Sequence, residues 1–279
     1  MAYDIGKGLV FSMCNIAFGK LDKNEEGNIR YRQGGEHDIN KLASCFGGSY
    51  LNVDHIFKPN LEKNEIKHEL ERVRRKLEAD DEYKYLIVLM SSHGATYEGR
   101  EIIFDTENSL VDIQNEIVGP FHNEKFKKFA GRPKIFILNC CRGIMPHKFE
   151  PKTDGIRSTS KTQLQLPKAD VCIIWSTVEE AASIRFPTEG SPLIQSLCGM
   201  IIDKAIDKTL QSTPFVRALI PDLSEEVRRK HGTQIEYKSS FAKSFYLQLK
   251  GKSRNSYHEC FEIFEFEIAW NPRLTCFNF

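Results

Sequence analysis

Short apolar runs recur along the chain, separated by stretches in which apolar and polar residues alternate at helical spacing. The runs are rich in Val, Ile, Leu and Phe, which is typical of strands that are buried on both faces of a parallel sheet. The predicted strands are Gly8–Cys14, Val53–Phe57, Tyr85–Met90, Ile135–Cys140 and Val171–Ser176.

The stretches between these runs predict helices. In the clearest one, Asn60 stands as an N-cap before Ile66, Leu70, Val73 and Leu77, and charged residues occupy the opposite face. Further helices are predicted at about 37–46, 123–130, 192–207 and 222–230. Strands that alternate with helices indicate an α/β fold with a doubly wound, mostly parallel sheet.

One internal segment, 144–168, has no hydrophobic period. It is rich in Pro, Lys, Thr, Ser and Gln, which predicts an exposed loop. Because predicted strands flank it on both sides, we interpret it as a long loop within a single domain, 1–279, and not as a domain boundary.

Composition and charge narrow the class of protein. The chain has 279 residues, 41% of them hydrophobic, which is enough for a large core. Lys plus Arg (39) nearly equals Asp plus Glu (38), so we expect no general attraction to nucleic acid or to membranes. No secretory signal or membrane-length apolar stretch is present, and the eight cysteines form no C-x-x-C pair. We therefore expect a cytoplasmic protein.

Two predicted strands run directly into reactive side chains. Tyr85–Met90 leads to His93 and Gly94, and Ile135–Cys140 leads to Cys141. The carboxyl ends of parallel strands meet at one edge of a sheet, so these groups should lie together. A thiolate can attack an acyl carbon while an imidazole accepts its proton, and the N–H groups of Gly94 and Cys141 can bind the oxyanion.

A lone His or Cys at a strand end is more often structural, but the combination here is informative. The His precedes the Cys by roughly 50 positions, and Cys141 lies in N-C-C-R-G, both of which match local marks of caspases. Longer segments carry the same resemblance: FAGRPKIFILNCCRG resembles the strand that leads to the caspase nucleophile, MSSHG the histidine loop, and STVEEAASIRFPTEGSPLIQSLC the start of the small subunit.

The resemblance to the caspase family covers nearly the whole chain from Gly8 onward. It implies a caspase-like sheet of about six strands, with 1–143 as the large-subunit region, 144–168 as the intersubunit loop and 169–279 as the small-subunit region. It implies neither a cofactor nor a metal.

The resemblance also implies roles for individual residues. Cys141 corresponds to the nucleophile and His93 to the general base and acid. Arg32, in RYRQGGEHD, matches the arginine that grips the P1 carboxylate, Arg185 the arginine that binds the P1 side chain and the P3 backbone, and Ser183 the position whose main chain pairs with the substrate. Two guanidinium groups in one cleft would favour an Asp side chain at P1.

Some positions depart from the family pattern. Asn139 stands in the P1 pocket where the family has Gln, and loss of a positioned hydrogen bond costs about 1–3 kcal/mol, roughly a ten- to hundredfold weakening. Ile184 and Pro192 replace aromatic residues around the P2 and P4 pockets. Peptide preference beyond P1 is therefore open.

The resemblance implies activation by cleavage after an Asp in the intersubunit loop. Asp154, in an Asp-Gly pair, is the expected processing site, and Asp170 is a weaker candidate because it opens a strand. No long prodomain is expected before Gly8.

Caspases dimerise through their last long strand, which we assign to 260–271. This segment alternates apolar residues with Glu262, Glu265 and Glu267, and facing glutamates in a two-fold dimer would repel one another. A homodimer or a heterodimer with another caspase therefore remains open.

Two functions from different classes follow. The first is an Asp-directed cysteine endopeptidase in apoptosis or a related cascade, acting on protein substrates and open to control by inhibitor proteins. The second is a catalytically weak homologue that regulates an active caspase by heterodimerisation. A nucleotide- or flavin-binding domain is disfavoured, because no glycine-rich phosphate loop follows the first strand.

Overall fold

A computed structural model describes residues 1–23, 29–145 and 169–251. Within these residues the chain forms eleven strands. In chain order these are β1 Lys7–Cys14, β2 Ala17–Lys23, β3 Ile29–Tyr31, β4 Val53–Pro59, β5 Tyr83–Ser91, β6 Gly94–Tyr97, β7 Arg100–Phe104, β8 Leu110–Asp112, β9 Lys134–Asn139, β10 Val171–Trp175 and β11 Glu236–Ser239.

Six of these strands form the central sheet in the order β11-β10-β9-β5-β1-β4. Neighbouring strands are parallel except for β10 and β11, which pair antiparallel. The predicted mostly parallel sheet is confirmed. Strands from both sides of the 144–168 segment belong to it, since β9 pairs with β10.

Helices cover both faces of this sheet. They are α1 Gly35–Phe46, α2 Lys63–Ala79, α3 Pro192–Ile206 and α4 Ile220–His231. Alternate side chains of β1 point to opposite faces, so Val10 packs with α1, α3 and α4, whereas Leu9 and Phe11 pack with α2. Two buried cores result, as a doubly wound sheet requires. No helix in the described part of the chain has the length and apolar character needed to cross a bilayer.

Two details of the predicted helices are wrong. Asn60 is not the cap of α2: its φ is +54°, and its Oδ1 accepts a hydrogen bond from the Ile16 N–H at 2.9 Å. The helix begins after Glu62, whose N–H is capped by the Glu65 carboxylate at 2.8 Å. Asn60 instead joins β1 to the chain before the helix.

The predicted helix at 123–130 is also wrong. Only one 3-10 turn, Lys127–Phe129, forms there. The backbone leaves the helical region at Phe126, with φ of −129° and ψ of 62°, and the Phe126 and Phe129 rings stack at 5.4 Å within the core. Burial of the two rings therefore overrides helical spacing.

The sheet edge beyond β10 is formed by β11. Its sequence, EYKS, is polar and half exposed. The segment 260–271, which was assigned to the dimer strand, lies outside the described residues.

Candidate active site

Strand register brings the two reactive side chains to one edge of the sheet. β5 and β9 are parallel neighbours, and Ser91 pairs with Asn139 at their carboxyl ends. His93 and Cys141 each lie two residues beyond this pair. The edge expected from the strand ends alone is therefore the one at which the structure places both groups.

The segments that carry these two residues are joined beyond the sheet. The N–H of Thr96, in β6, donates to the Gly143 carbonyl at 2.8 Å, and the Met145 N–H donates to the Thr96 carbonyl at 3.0 Å. The chain after Cys141 therefore runs beside the chain after His93.

Gly94 allows this close approach. A Cβ at this position would lie 2.8 Å from the carbonyl oxygen of Cys141 and 2.9 Å from that of Ile102. Any other residue would push the two segments apart. Gly94 and Cys141, the predicted oxyanion donors, thus belong to backbone segments in direct contact.

The thiol of Cys141 lies against the chain that follows β10. The Ser183 N–H donates to Sγ at 3.3 Å, and Sγ lies 3.9 Å from the Ser183 carbonyl oxygen, its acceptor. Within the described residues Sγ makes no hydrogen bond to His93. Ser183 therefore occupies one side of the thiol in this structure.

His93 is in the neutral form at pH 7. His93 is an exposed residue, and its ring lies 4.7 Å from the ring of Phe18. Two effects lower the pKa of His93 to about 4. The larger is desolvation by the surrounding protein, and the smaller is repulsion from the positive charges of Arg32 and Arg185. A neutral imidazole is the form that can accept a proton from a thiol.

Arg32 is a buried cation with little to bind. It is 6% exposed, and one of its terminal nitrogens donates to the Asn15 carbonyl at 2.9 Å and to Ser91 Oγ at 3.4 Å. Its Nε is buried without a hydrogen-bond partner among the described residues. Burial, followed by the charge of Arg185, lowers the pKa of Arg32 to about 10.

Arg185 lies beside Arg32. Its Nε donates to the carbonyl of Gln33, the residue next to Arg32, at 2.8 Å. In the described parts of the chain, no salt bridge joins a carboxylate to either guanidinium. Two neighbouring cations that no carboxylate bonds directly are chemically suited to bind a carboxylate.

Asn139 is buried between two serines, one of which also bonds Arg32. It is 1% exposed, and its Nδ2 donates to Ser91 Oγ at 2.9 Å and to Ser191 Oγ at 2.8 Å. Both amide hydrogens are thereby used, and Oδ1 is buried without a partner in the described residues. The Asn139 amide is thereby linked to Arg32 through Ser91. A direct contact between Asn139 and P1 stays a prediction.

A second buried arginine, Arg142, was not singled out from the sequence. Its guanidinium bonds Glu101 at 2.5 Å, Glu236 at 2.6 Å and Glu179 at 3.3 Å, and it lies 4.7 Å from the ring centre of Trp175. These partners come from β7, β11 and the chain after β10. Only the fold brings them together, so no local signal could have predicted this cluster.

The two candidate processing sites differ. Asp154 lies outside the described residues. Asp170 is anchored: its φ is +64°, its Oδ1 accepts from the Tyr3 hydroxyl at 2.8 Å, and its Oδ2 accepts from Asn123 Nδ2 at 2.9 Å. A protease would have to break these bonds to bind Asp170 as P1.

Comparison with known proteins decides the family. The family model that describes the caspase domain matches residues 8–246 of this chain. The chain belongs to the caspase family. Caspases are cysteine peptidases, so membership supports a caspase-like protease role. The matched region ends before the 260–271 segment.

Individual caspases are similar at modest identity. Caspase-8 of Rattus norvegicus is 28% identical over 204 residues, which cover 69% of this chain and 40% of that protein. Caspase-3 of Felis catus is 29% identical, with 68% and 64% covered. The chain thus spans less than two thirds of these relatives.

The fold also has a solved counterpart. The crystal structure of caspase-1 from Spodoptera frugiperda superimposes with a TM-score of 0.64, at 18% identity, over 90% of this chain and 94% of that one. This likeness confirms the caspase-like α/β fold.

Proposed function

We propose that this chain is a cysteine endopeptidase that cleaves proteins after Asp. The observation that carries the proposal is the pair of arginines without acidic partners, Arg32 and Arg185, next to the edge that holds Cys141 and His93. A P1 carboxylate supplies the missing anion.

The chemistry follows from the groups present. Neutral His93 accepts the Sγ proton of Cys141, and the thiolate attacks the carbonyl carbon after the P1 Asp. The N–H groups of Gly94 and Cys141 stabilise the oxyanion. Protonated His93 then gives its proton to the leaving amine, and a water activated by His93 hydrolyses the thioester.

Substrate binding requires Ser183 to move off the thiol. Its N–H and carbonyl, now 3.3 and 3.9 Å from Sγ, then become available to an extended peptide. We propose that cleavage after Asp154 releases this segment, so that the intact chain is a zymogen. A cytoplasmic caspase of a cell-death or related cascade, paired with itself or another caspase and subject to inhibitor proteins, fits this scheme.

One set of observations favours a second candidate, a weak homologue that regulates an active caspase. Asn139 has both amide hydrogens in use, so it brings no N–H to the P1 carboxylate, and Ser183 covers the thiol. Such a chain would act through dimerisation and not through catalysis.

Peptide cleavage separates the two candidates. Purified protein, with the 144–168 loop cut by an added protease, should release fluorophore from a peptide ending in Asp and discriminate against Asn or Lys at P1. Cys141→Ala should abolish this activity, whereas Cys140→Ala, which removes the neighbouring buried thiol, should retain it. Wild-type protein as inert as Cys141→Ala would refute the peptidase and favour the regulatory homologue.

A further inference from the structure

A chain of buried polar side chains begins at Asp38, in α1. Asp38 is 1% exposed. Its Oδ1 accepts from the Ser191 N–H at 2.8 Å and from Gln195 Nε2 at 3.0 Å, and its Oδ2 accepts from Ser191 Oγ at 2.5 Å. A carboxylate with three donors, this deep in the protein, is unexplained by the proposed chemistry.

The direction of these hydrogen bonds is set by Asp38. A carboxylate only accepts, so the Ser191 hydroxyl donates to it and must accept from Asn139 Nδ2 at 2.8 Å. The same amide nitrogen donates to Ser91 Oγ, which also accepts from Arg32. Asp38 is thereby linked to the P1 arginine through three side chains.

The turn after Arg185 is built around the same carboxylate. Phe186 and Gly190 exchange two backbone hydrogen bonds at 2.9 and 2.8 Å. Gly190 has a φ of +88°, and a Cβ there would lie 2.4 Å from Asp38 Oδ1. The far end of this turn is therefore packed directly on Asp38.

The chain that follows Arg32 packs against the other end of this turn, at Phe186. Gly34 has a φ of +83°, and a Cβ there would lie 2.3 Å from the Phe186 carbonyl oxygen. Asp38 thus fixes the turn from Phe186 to Gly190. This turn directly follows Arg185, and its Phe186 end contacts Gly34, two residues after Arg32.

Charge adds to this arrangement. Burial lowers the pKa of both guanidinium groups, Arg32 and Arg185, and the negative charge of Asp38 opposes that shift. Without this anion, two neighbouring cations would repel each other in a partly dry site.

We propose that Asp38 is a positioning residue of the P1 pocket, whose buried carboxylate sets the spacing and the charge balance of Arg32 and Arg185. The proposal rests on the proposed function of the two arginines. Asp38 touches neither the substrate nor the reacting atoms; it acts through Ser191 and the turn.

The test compares Asp38→Asn, which keeps the shape and removes the charge, with Asp203→Asn, which changes an exposed Asp of α3. For a P1-Asp peptide, Asp38→Asn should raise KM about tenfold and leave kcat within about threefold, because only the pocket is disturbed. Asp203→Asn should leave both constants unchanged. Equal effects of the two variants on KM would overturn the proposal.

Amide hydrogen exchange gives a readout that needs no activity. Exchange in peptides that cover 185–195 should accelerate in Asp38→Asn, since the Ser191 N–H loses its charged acceptor, while peptides from β1 stay protected. Unaccelerated exchange would overturn the proposal. Wild-type protein that neither cleaves nor binds a P1-Asp peptide, with accelerated exchange in the variant, would refute the proposed function and leave Asp38 as the anchor of the turn.

Discussion

Two arginines, Arg142 and Arg32, are buried in the described part of the chain, and they differ in the number of carboxylates that surround them. Arg142 bonds three glutamates and lies over Trp175. Arg32 is within ion-pairing distance of no carboxylate in the described residues, and its Nε has no partner there. Opposing charges raise the pKa of Arg142 against the effect of its burial, whereas burial and Arg185 lower that of Arg32.

The difference separates a structural cation from a binding cation. A guanidinium whose donors are saturated by anions has nothing left to offer a ligand, and its removal leaves buried charges uncompensated. A guanidinium with unused donors in a dry site gains most when an outside carboxylate arrives. Matched variants of Arg142 and Arg32 can test this distinction.

Arg142→Leu should have the largest effect, because it leaves the partly buried Glu101 without its salt-bridge partner, whereas Glu179 and Glu236 keep Lys238 at 3.2 and 3.0 Å. We expect a loss of about 3–5 kcal/mol in the free energy of unfolding, measured by chemical denaturation. The double variant Arg142→Leu, Glu101→Leu should recover part of this loss. Wild-type stability in the single variant would show that the cluster is not structural.

Arg32→Leu should instead affect the substrate. We expect kcat/KM for a P1-Asp peptide to fall about 100- to 1,000-fold, since the pocket loses one of its two cations. Stability should change by less than about 1 kcal/mol, because the lost bond to Asn15 is offset by removal of a buried donor without a partner. A large stability loss with intact kcat/KM would reverse the assignment of the two arginines.

Asn139→Gln should change stability less than Arg142→Leu does, and substrate cleavage less than Arg32→Leu does. The extra methylene enters a site that is 1% exposed, at a cost of about 1–3 kcal/mol in stability. If the longer amide brings an N–H to the P1 carboxylate, KM falls about tenfold. Asn139→Leu, which fills the site without an amide, is the control, and an equal KM in both variants would rule out an amide contact.

The pKa of His93 should report both its desolvation by the surrounding protein and the positive charge of Arg32 and Arg185. Since its pKa is lowered to about 4, the imidazole stays neutral and competent as a base down to pH 5.5, where an ordinary His is mostly protonated. NMR titration of Cys141→Ala should give a His93 pKa below 6.5. Arg185→Gln should raise it, because one repelling charge is lost. A pKa at or above 6.5 would contradict this picture.

The residues of the candidate site, including Arg32, could largely be predicted from the sequence. The partners of Arg142 could not. His93 and Cys141 follow apolar strands, so their common edge is a consequence of parallel pairing. Arg32 and Arg185 were found only by resemblance to caspases. The partners of Arg142 come from three distant segments and carry no local pattern.

Other differences have physical causes of the same kind. The two serines that accept from the Asn139 amide come from different parts of the chain, so these contacts could not be predicted from the sequence, and its contact with P1 stays a prediction. Asp38 lies in an ordinary helical pattern, and only Ser191 and Gly190 reveal its role. β11 was missed because its sequence, EYKS, is polar and has no apolar alternation that would mark a strand.

The anchoring of Asp170 bears on where the chain is attached to the sheet before and after 146–168. β9 ends at the catalytic edge, and β10 begins at the opposite edge, where Tyr3 and Asn123 hold Asp170. The described chain therefore leaves the sheet beside the thiol, where the Met145 N–H bonds the Thr96 carbonyl, and re-enters it at the opposite edge, at Asp170. The two points of attachment lie on opposite edges of one sheet, so the contacts that hold Asp170 are independent of those that surround Cys141.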